Sequence, residues 1–123
     1  MIEDLFYLYP DLRKLKRSLL KVKNFLQVFM EYKIKEESKL EYEKLMPEVK
    51  SKVIQYGGND YEWFQSIDQG SLYVEMFKVP SYEKYLEIKK NRQSGLEPIF
   101  KSIIPFIEGG SKKIHCWAFE RKE

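Results

Sequence analysis

One segment of the chain limits most strongly what it can fold into. Residues 71–79 (SLYVEMFKV) are mostly β-branched, aromatic or apolar, with the carboxylate of Glu75 in the middle, and predict a central β-strand. A turn signal at 68–70 precedes this strand, and Pro80 and Ser81 follow it with the start of a helix. A strand that is entered from a hairpin and left into a helix is the middle of a β-α-β-β-α-β unit.

The rest of the chain supplies the other elements of this unit. Residues 25–35 alternate apolar and polar side chains, as a strand with one covered face does. Ser38 and Glu41 have the spacing of a capping box, and Pro47 is expected to kink the helix that follows or to end it early. Ser81 is expected to cap the second helix, which buries Tyr82, Tyr85, Leu86 and Ile88. The remaining predictions are strands at 61–67 and 111–120 and a short helix at 96–107.

The hairpin that leads into the central strand has two registers that the sequence allows. A three-residue loop pairs Trp63 with Glu75, whereas a two-residue loop shifts the pairing by one and exchanges the faces. We favour the three-residue loop because it collects the aliphatic side chains on the core side, namely Leu72, Val74 and Met76. The opposite face then carries the aromatic residues Phe25, Phe29, Trp63, Tyr73, Phe77, Trp117 and Phe119. So much aromatic surface does not stay in water on a soluble monomer, and we expect a homodimer packed sheet to sheet.

The residues before this unit predict an added helix. Leucines in residues 1–23 recur at spacings of three and four on one helical face, and lysines and arginines make this the most basic segment. The charges fit a solvated outer face, with a patch for nucleic acid or acidic membrane, or a docking arm for a partner chain, as alternatives. We therefore divide the chain into a helical extension at 1–23 and a ferredoxin-like α+β domain at 24–123.

Composition excludes several functional classes. A net charge of +3 is mild and neither demands nor excludes nucleic acid, although we do not expect a nucleic-acid partner. A single cysteine, no signal-peptide pattern and no apolar run of about 18 residues predict a cytoplasmic protein without a membrane span. One histidine and one cysteine also argue against a zinc or haem-iron site within one protomer. A carboxylate site for a hard cation is the alternative but has no motif, so no metal or other cofactor is expected.

The element order and one segment resemble a known superfamily. Residues 74–92 (VEMFKVPSYEKYLEIKKNR) are similar to the strand-to-second-helix stretch of the dimeric α+β barrel proteins, especially those similar to antibiotic-biosynthesis monooxygenases and NIPSNAP-like domains. The resemblance spans residues 25–120. It implies a ferredoxin-like fold with a four-stranded antiparallel sheet, helices on one face, and a homodimer in which two sheets form a barrel.

The sequence differs from the haem-degrading members of this superfamily at two positions. Haem-degrading members carry a histidine on the second helix, but residues 85–90 contain none, and Phe77 stands where those proteins usually have a tryptophan. Haem degradation is therefore disfavoured. A cofactor-independent oxygenase is compatible with the sequence, since such enzymes work mainly by holding an electron-rich substrate in a dry pocket.

The resemblance also points to ligand-binding residues. Pockets in these relatives lie between the sheet and the helices, which makes Tyr32, Trp63 and Phe77 candidates here, together with Glu75. Glu31 and Glu75 lie on neighbouring strands, and one of them could have a raised pKa and act as a general base. The alternative is that both pair with lysine or arginine or reach solvent.

His115 and Cys116 are the other residues that could carry chemistry. His115 is the only histidine and is either a proton shuttle or an interface or surface residue. Cys116 alternates with apolar neighbours and is interpreted as a small core side chain.

Two functions follow from these observations. The first is a homodimeric barrel that binds a small apolar or aromatic molecule and acts as a cofactor-independent, monooxygenase-like enzyme. The second is a non-catalytic interaction or regulatory module that uses the basic N-terminal helix. An enclosed cavity with a carboxylate or His115 favours the first, and a filled interior with a groove along residues 11–23 favours the second.

Overall fold

The computed structural model describes residues 25–123, and the helix expected at 1–23 lies outside them. The strands are β1 (Leu26–Lys33), β2 (Asn59–Gln65), β3 (Leu72–Val79) and β4 (His115–Glu120), and the helices are α1 (Lys39–Gln55), α2 (Tyr82–Ser94) and α3 (Pro98–Ile103). The strands form one antiparallel sheet in the order β2-β3-β1-β4, and the helices pack on one side of it. The predicted ferredoxin-like α+β architecture is therefore confirmed.

Helix α1 begins and continues differently from the expectation. The side chain of Ser38 makes no cap hydrogen bond, so the predicted capping box is wrong, and a 3-10 turn at 36–38 leads into the helix instead. The helix runs through Pro47 without an early end. An internal proline costs about 3 kcal/mol, and burial of one helical face offsets that cost. The buried side chains are Tyr42, Met46, Val49 and Val53.

Helix α2 follows β3 directly. The hydroxyl of Ser81 accepts a hydrogen bond from the backbone N–H of Lys84 at 3.2 Å, as predicted for an N-cap. Its buried face consists of Tyr85, Ile88 and Arg92, whereas Tyr82 and Leu86, which were expected to face inward, are 61% and 44% exposed. No helix in residues 25–123 is both long enough and apolar enough to cross a membrane.

The hairpin between β2 and β3 has the favoured register but the opposite assignment of faces. Trp63 pairs with Glu75 and Phe64 with Val74, as expected for the longer loop. Along β3, however, the buried side chains are Tyr73, Glu75, Phe77 and Val79. Leu72, Val74 and Met76 therefore lie on the face away from the helices, and their assignment to the core was wrong. Trp63, Tyr73 and Phe77 were placed on that open face and lie instead on the helix side.

The rest of the open sheet face agrees with the sequence pattern. The Phe29 and Phe119 rings meet edge to face at 5.3 Å, and Trp117 and Phe119 are 44% and 53% exposed. The Lys78 ammonium lies 4.6 Å from the centre of the Phe25 ring. In the described residues this face is covered by no helix, so its aromatic side chains remain in contact with solvent.

Candidate functional site

Glu75 lies between the sheet and the helices, in the middle of β3. It is fully buried, as is Arg92 near the end of α2. The two form a bidentate ion pair, in which Nη1 of Arg92 donates to Oε1 of Glu75 at 2.8 Å and Nη2 donates to Oε2. Because a buried carboxylate needs a hydrogen-bonded partner of opposite charge, this ion pair explains why β3 can turn Glu75 toward the core.

Two tyrosine hydroxyls donate to the remaining acceptor positions of the Glu75 carboxylate. Tyr32 donates to Oε2 at 2.6 Å, and Tyr61 donates to Oε1 at 2.8 Å. An ionised carboxylate offers about four acceptor positions. With the two bonds from Arg92 all of these positions are filled, so Glu75 has no lone pair left for a substrate proton.

The hydrogen bonds continue from the carboxylate through two more aromatic side chains. The hydroxyls of Tyr32 and Tyr42 lie 2.6 Å apart, and Nε1 of Trp63 donates to the Tyr42 hydroxyl at 2.9 Å. Since Tyr32 gives its one proton to Glu75, Tyr42 donates to Tyr32 and accepts from Trp63. The result is a chain of donors that runs in one direction and ends on the carboxylate.

The electrostatics of this network hold each group in one protonation state. Burial alone would raise the pKa of Glu75, but the charge and hydrogen bonds of Arg92, with those of the tyrosines, hold it below the ordinary 4.5. Burial and the adjacent carboxylate raise the pKa of Tyr32 and of Tyr61 well above the ordinary 10.0. Glu75 is thus not a carboxyl group with a raised pKa, and of the alternatives considered for it, the pair with arginine is the one found.

The open face of the sheet carries a first, aromatic depression of about 580 Å³. Its lining residues are Phe29, Glu31, Val74, Trp117 and Phe119. Four of them are apolar or aromatic and belong to β1, β3 and β4, which are neighbours in the sheet. This depression is a wide aromatic platform with one carboxylate.

A second depression of about 430 Å³ shares Glu31 with it and has several charged lining residues. It is lined by Glu31, Tyr32, Lys33, Leu72, Glu108, Gly109, Lys113 and His115. Glu31 lines both depressions, so the two are adjacent, and together we call them the open-face site. The open-face site therefore joins an aromatic surface to a cluster of carboxylates, lysines and a histidine.

Glu31 lines both depressions, and His115 lines the second. The antiparallel register of β1 and β4 makes them direct cross-strand partners, so their side chains share the open face. The His115 ring is also stacked on that of Trp117, with the centroids 6.0 Å apart and the planes at 18°. An exposed imidazole beside a carboxylate can accept a proton and give it back.

The candidate residues from the sequence thus divide between the two faces. Tyr32, Trp63, Phe77 and Glu75 come together on the helix side, where Tyr32 and Phe77 are fully buried, and His115 lies on the open face. Sequence reasoning missed Arg92, although its spacing of four from Ile88 puts both on one helical face. A charged residue on an apolar helical stripe was the available signal that a buried carboxylate needed a partner.

Cys116 is half-buried on β4 and points to the helix side. Burial raises the pKa of its thiol to about 11. The thiol is therefore protonated at neutral pH and is a poor nucleophile, in agreement with its interpretation as a small core side chain. No group of three or more His, Cys, Asp or Glu side chains in residues 25–123 is arranged to hold a metal ion.

The sequence itself identifies no family. No protein-family model matches the chain, and a search of curated proteins finds no match. The basic segment on which the interaction-module hypothesis depends lies outside the described residues.

Solved structures, in contrast, match most of the chain. A conserved protein from Methanosarcina mazei Go1 superimposes with a TM-score of 0.63 at 15% identity, covering 85% of this chain and 99% of that one. A putative antibiotic biosynthesis monooxygenase from Nitrosomonas europaea gives 0.62 at 9% identity, covering 80% and 91%. A variant of SnoaB, a cofactor-independent oxygenase from Streptomyces nogalater, gives 0.62 at 10% identity, covering 81% and 95%. At these identities the likeness shows the fold alone, which is the ferredoxin-like fold of the antibiotic-biosynthesis-monooxygenase proteins.

Proposed function

We propose that this chain forms a homodimer through its open sheet face and binds a small aromatic molecule there, which it oxidises without a cofactor. The observation that carries the proposal is that an aromatic depression and a depression with charged lining residues share Glu31. An aromatic ligand stacked on the apolar part would hold its polar group in the charged part. Binding sites for small molecules commonly combine an apolar lining with a few convergent polar groups in this way.

The aromatic part of the open-face site supports the class of ligand. Trp117, Phe119 and Phe29 line the aromatic depression, and in the described residues Trp117 and Phe119 are 44% and 53% exposed. Offset or edge-to-face contact between aromatic rings contributes about 0.5–1.5 kcal/mol beyond the burial of apolar area. A planar aromatic ligand gains more from this surface than an aliphatic one of equal size.

The polar part supports a reaction that begins with proton removal. His115, next to Glu31, accepts a proton from an acidic CH2 group of the ligand, and Lys33 and Lys113 stabilise the anion. The anion gives one electron to O2, and the two radicals combine into a peroxide, which takes the proton back. Loss of water then leaves a carbonyl, so one O2 and one CH2 give C=O and H2O with no added reductant.

Two further observations support this oxidation. SnoaB, whose fold this chain shares, is described as a cofactor-independent oxygenase. The ligand itself supplies all the electrons in the reaction above. The protein therefore needs to provide only a base, a positive charge near the anion, and a site that excludes water.

The homodimer is supported by the composition of the open face. Its apolar middle is flanked by charges of both signs, with Glu31 and Glu62 as the acids and Lys33 and Lys78 as the bases. A surface of this kind can face a copy of itself about a two-fold axis without net repulsion. Burying the exposed Trp117 and Phe119 then supplies the apolar contact that a stable interface needs.

Binding is tested by titrating the protein with 1-naphthol, an aromatic molecule with one acidic hydroxyl, and with naphthalene as the matched probe without it. Fluorescence is read in a Trp63→Phe variant, in which Trp117 is the only tryptophan. We expect saturable quenching of Trp117, with 1-naphthol bound more tightly than naphthalene. Quenching that does not saturate with either probe would refute the proposed site.

Oxidation is tested with anthrone, an aromatic ketone with an acidic CH2, in an oxygen electrode. We expect O2 uptake above the uncatalysed rate, anthraquinone as product, and a loss of about 100-fold in His115→Ala, in the range for a missing general base. Lys90→Ala, on the exposed side of α2, is the control and should keep the full rate. Equal rates in the parent and His115→Ala would remove His115 from the mechanism.

A further inference from the structure

The space between the sheet and the helices leaves no room for a ligand around Glu75. Glu75, Arg92, Tyr32 and Phe77 are all at most 1% exposed, and every acceptor position of the carboxylate is occupied. A ligand there would have to displace side chains whose hydrogen bonds it could not replace, leaving a buried charge unpaired. The ligand of the proposed function therefore belongs on the other side of the sheet.

Within residues 25–123, the open-face site of one protomer is too exposed to be a complete site. A bound small molecule usually has about 70–90% of its surface buried. In the described residues Trp117 and Phe119 are 44% and 53% exposed, so a ligand stacked on them keeps its outer face in water. Something must cover that outer face if the ligand is to be held in a dry environment.

We infer that a second copy of this chain supplies the cover, so that the ligand lies between two sheets and touches both protomers. This inference rests on the homodimer and the ligand class of the proposed function. Sheets packed face to face are about 10 Å apart, and the depressions widen that space locally. Each copy then offers the same aromatic platform, and a flat ligand is stacked from both sides.

A shared site has a thermodynamic consequence that a site within one protomer lacks. If the ligand contacts both copies, it binds the dimer more tightly than the monomer, and by linkage it tightens the dimer by the same factor. Ligand binding and dimer formation then become one coupled equilibrium. The bound molecule is part of the interface.

The test is sedimentation velocity over a range of protein concentrations, with and without saturating 1-naphthol. We expect the probe to lower the dimer dissociation constant at least tenfold.

A second arm uses Phe64→Glu, which places a charge on the open face next to Val74 but outside both depressions. We expect this variant to be a monomer that binds the probe at least tenfold more weakly. Ile67→Glu, at an exposed loop tip, is the control and should match the parent in both assays.

The outcomes separate this inference from the function on which it rests. Saturable binding of 1-naphthol with a dimer constant unchanged within twofold overturns the shared site and leaves the binding proposal standing. Undiminished binding by a monomeric Phe64→Glu protein does the same. If the parent protein binds no probe at all, the proposed function itself fails. Should Phe64→Glu not fold, the effect of the probe on the parent dimer decides the question alone.

Discussion

The two faces of the sheet each carry a carboxylate, and the two differ in burial and in hydrogen bonding. On the helix side, Glu75 is fully buried and receives four hydrogen bonds from Arg92, Tyr32 and Tyr61. On the open side, Glu31 is only partly buried and lines a surface with a histidine and two lysines. A fully paired carboxylate stabilises one conformation, whereas one that is open to solvent can exchange a proton. Burial of a charge therefore indicates function only when its partners leave an acceptor position free.

The largest expected effect is the removal of Arg92. Arg92→Ala leaves Glu75 as an unpaired charge in the core, and we expect a loss of about 3–5 kcal/mol in the free energy of unfolding. Lys90→Ala, two residues earlier on the exposed face of α2, should change it by less than about 0.5 kcal/mol. Urea unfolding at one fixed protein concentration measures both variants, and equal small losses would contradict the structural role of the ion pair.

A double replacement sharpens this result. Replacing a buried ion pair by apolar residues of similar size is often neutral or stabilising, because both desolvation costs disappear together. We expect Glu75→Leu combined with Arg92→Leu to recover only part of the stability that Arg92→Ala loses, because the hydroxyls of Tyr32 and Tyr61 then lack their acceptor. The coupling is measured as a double-mutant cycle with the two single leucine variants. Additive losses would mean that the two side chains stabilise the fold independently.

The tyrosines should matter less than the ion pair. Tyr61→Phe removes one hydrogen bond to the ionised Glu75, and we expect a loss of about 1.5–3 kcal/mol in the free energy of unfolding. Tyr82→Phe is the matched control, because Tyr82 is 61% exposed. Thermal or urea unfolding compares the two variants. A similar effect at both positions would show that the Tyr61 hydroxyl adds nothing to the network.

The network also predicts how stability depends on pH. The pKa of Glu75 is lower in the folded protein than the ordinary 4.5, so its contribution is present above pH 4.5 and is lost as the pH falls through the folded value. Unfolding free energies measured from pH 7 to pH 3 should fall less in the Glu75→Leu, Arg92→Leu double variant than in the parent. Glu36 also has a lowered pKa, because Lys39 and Ser71 donate to it, but it is present in both proteins and cancels in the difference. Unfolding free energies that fall equally with pH in the two proteins would contradict the lowered pKa of Glu75.

Much of the fold could be predicted from periodicity and turn chemistry. The element order, the β2–β3 register and the cap at Ser81 all depend on local signals, namely alternation, a loop and a hydroxyl before a helix. The faces of β3 could not be predicted in the same way. Apolarity alone favours burying the Leu72 side of the strand, and the choice is reversed by Arg92, which lies 17 residues from Glu75 in sequence.

The candidate site shows the same limit. Trp117 and Phe119 were assigned to the open face correctly because alternation along β4 is a local property. Tyr32, Trp63 and Phe77 were assigned to a pocket because the resemblance implies one between sheet and helices. In this chain the side chains of α1 and α2 fill that space. The filling depends on the hydrogen bonds of Glu75 to Arg92 and Tyr32, which are contacts between residues distant in sequence.

The smallest expected effect on stability is on the open face. Phe119→Ser removes an aromatic side chain that is 53% exposed, and we expect the unfolding free energy of the monomer to change by less than about 1 kcal/mol. The same variant should bind 1-naphthol at least tenfold more weakly, because it loses a ring of the aromatic platform. Fluorescence titration and urea unfolding of one preparation test both statements. Tyr61→Phe should show the reverse pattern, with lower stability and unchanged binding.

The two tryptophans provide the most direct test, since Trp63 lies on the helix side and Trp117 on the open face. Each has one indole N–H signal in the 1H–15N NMR spectrum. The signal that is missing in the spectrum of Trp117→Phe belongs to Trp117, and the other belongs to Trp63. Titration with 1-naphthol should shift the Trp117 signal in a saturable way and leave that of Trp63, which is held by Tyr42, unchanged. A shift of the Trp63 signal with Trp117 unmoved would place the ligand between the sheet and the helices and contradict this account.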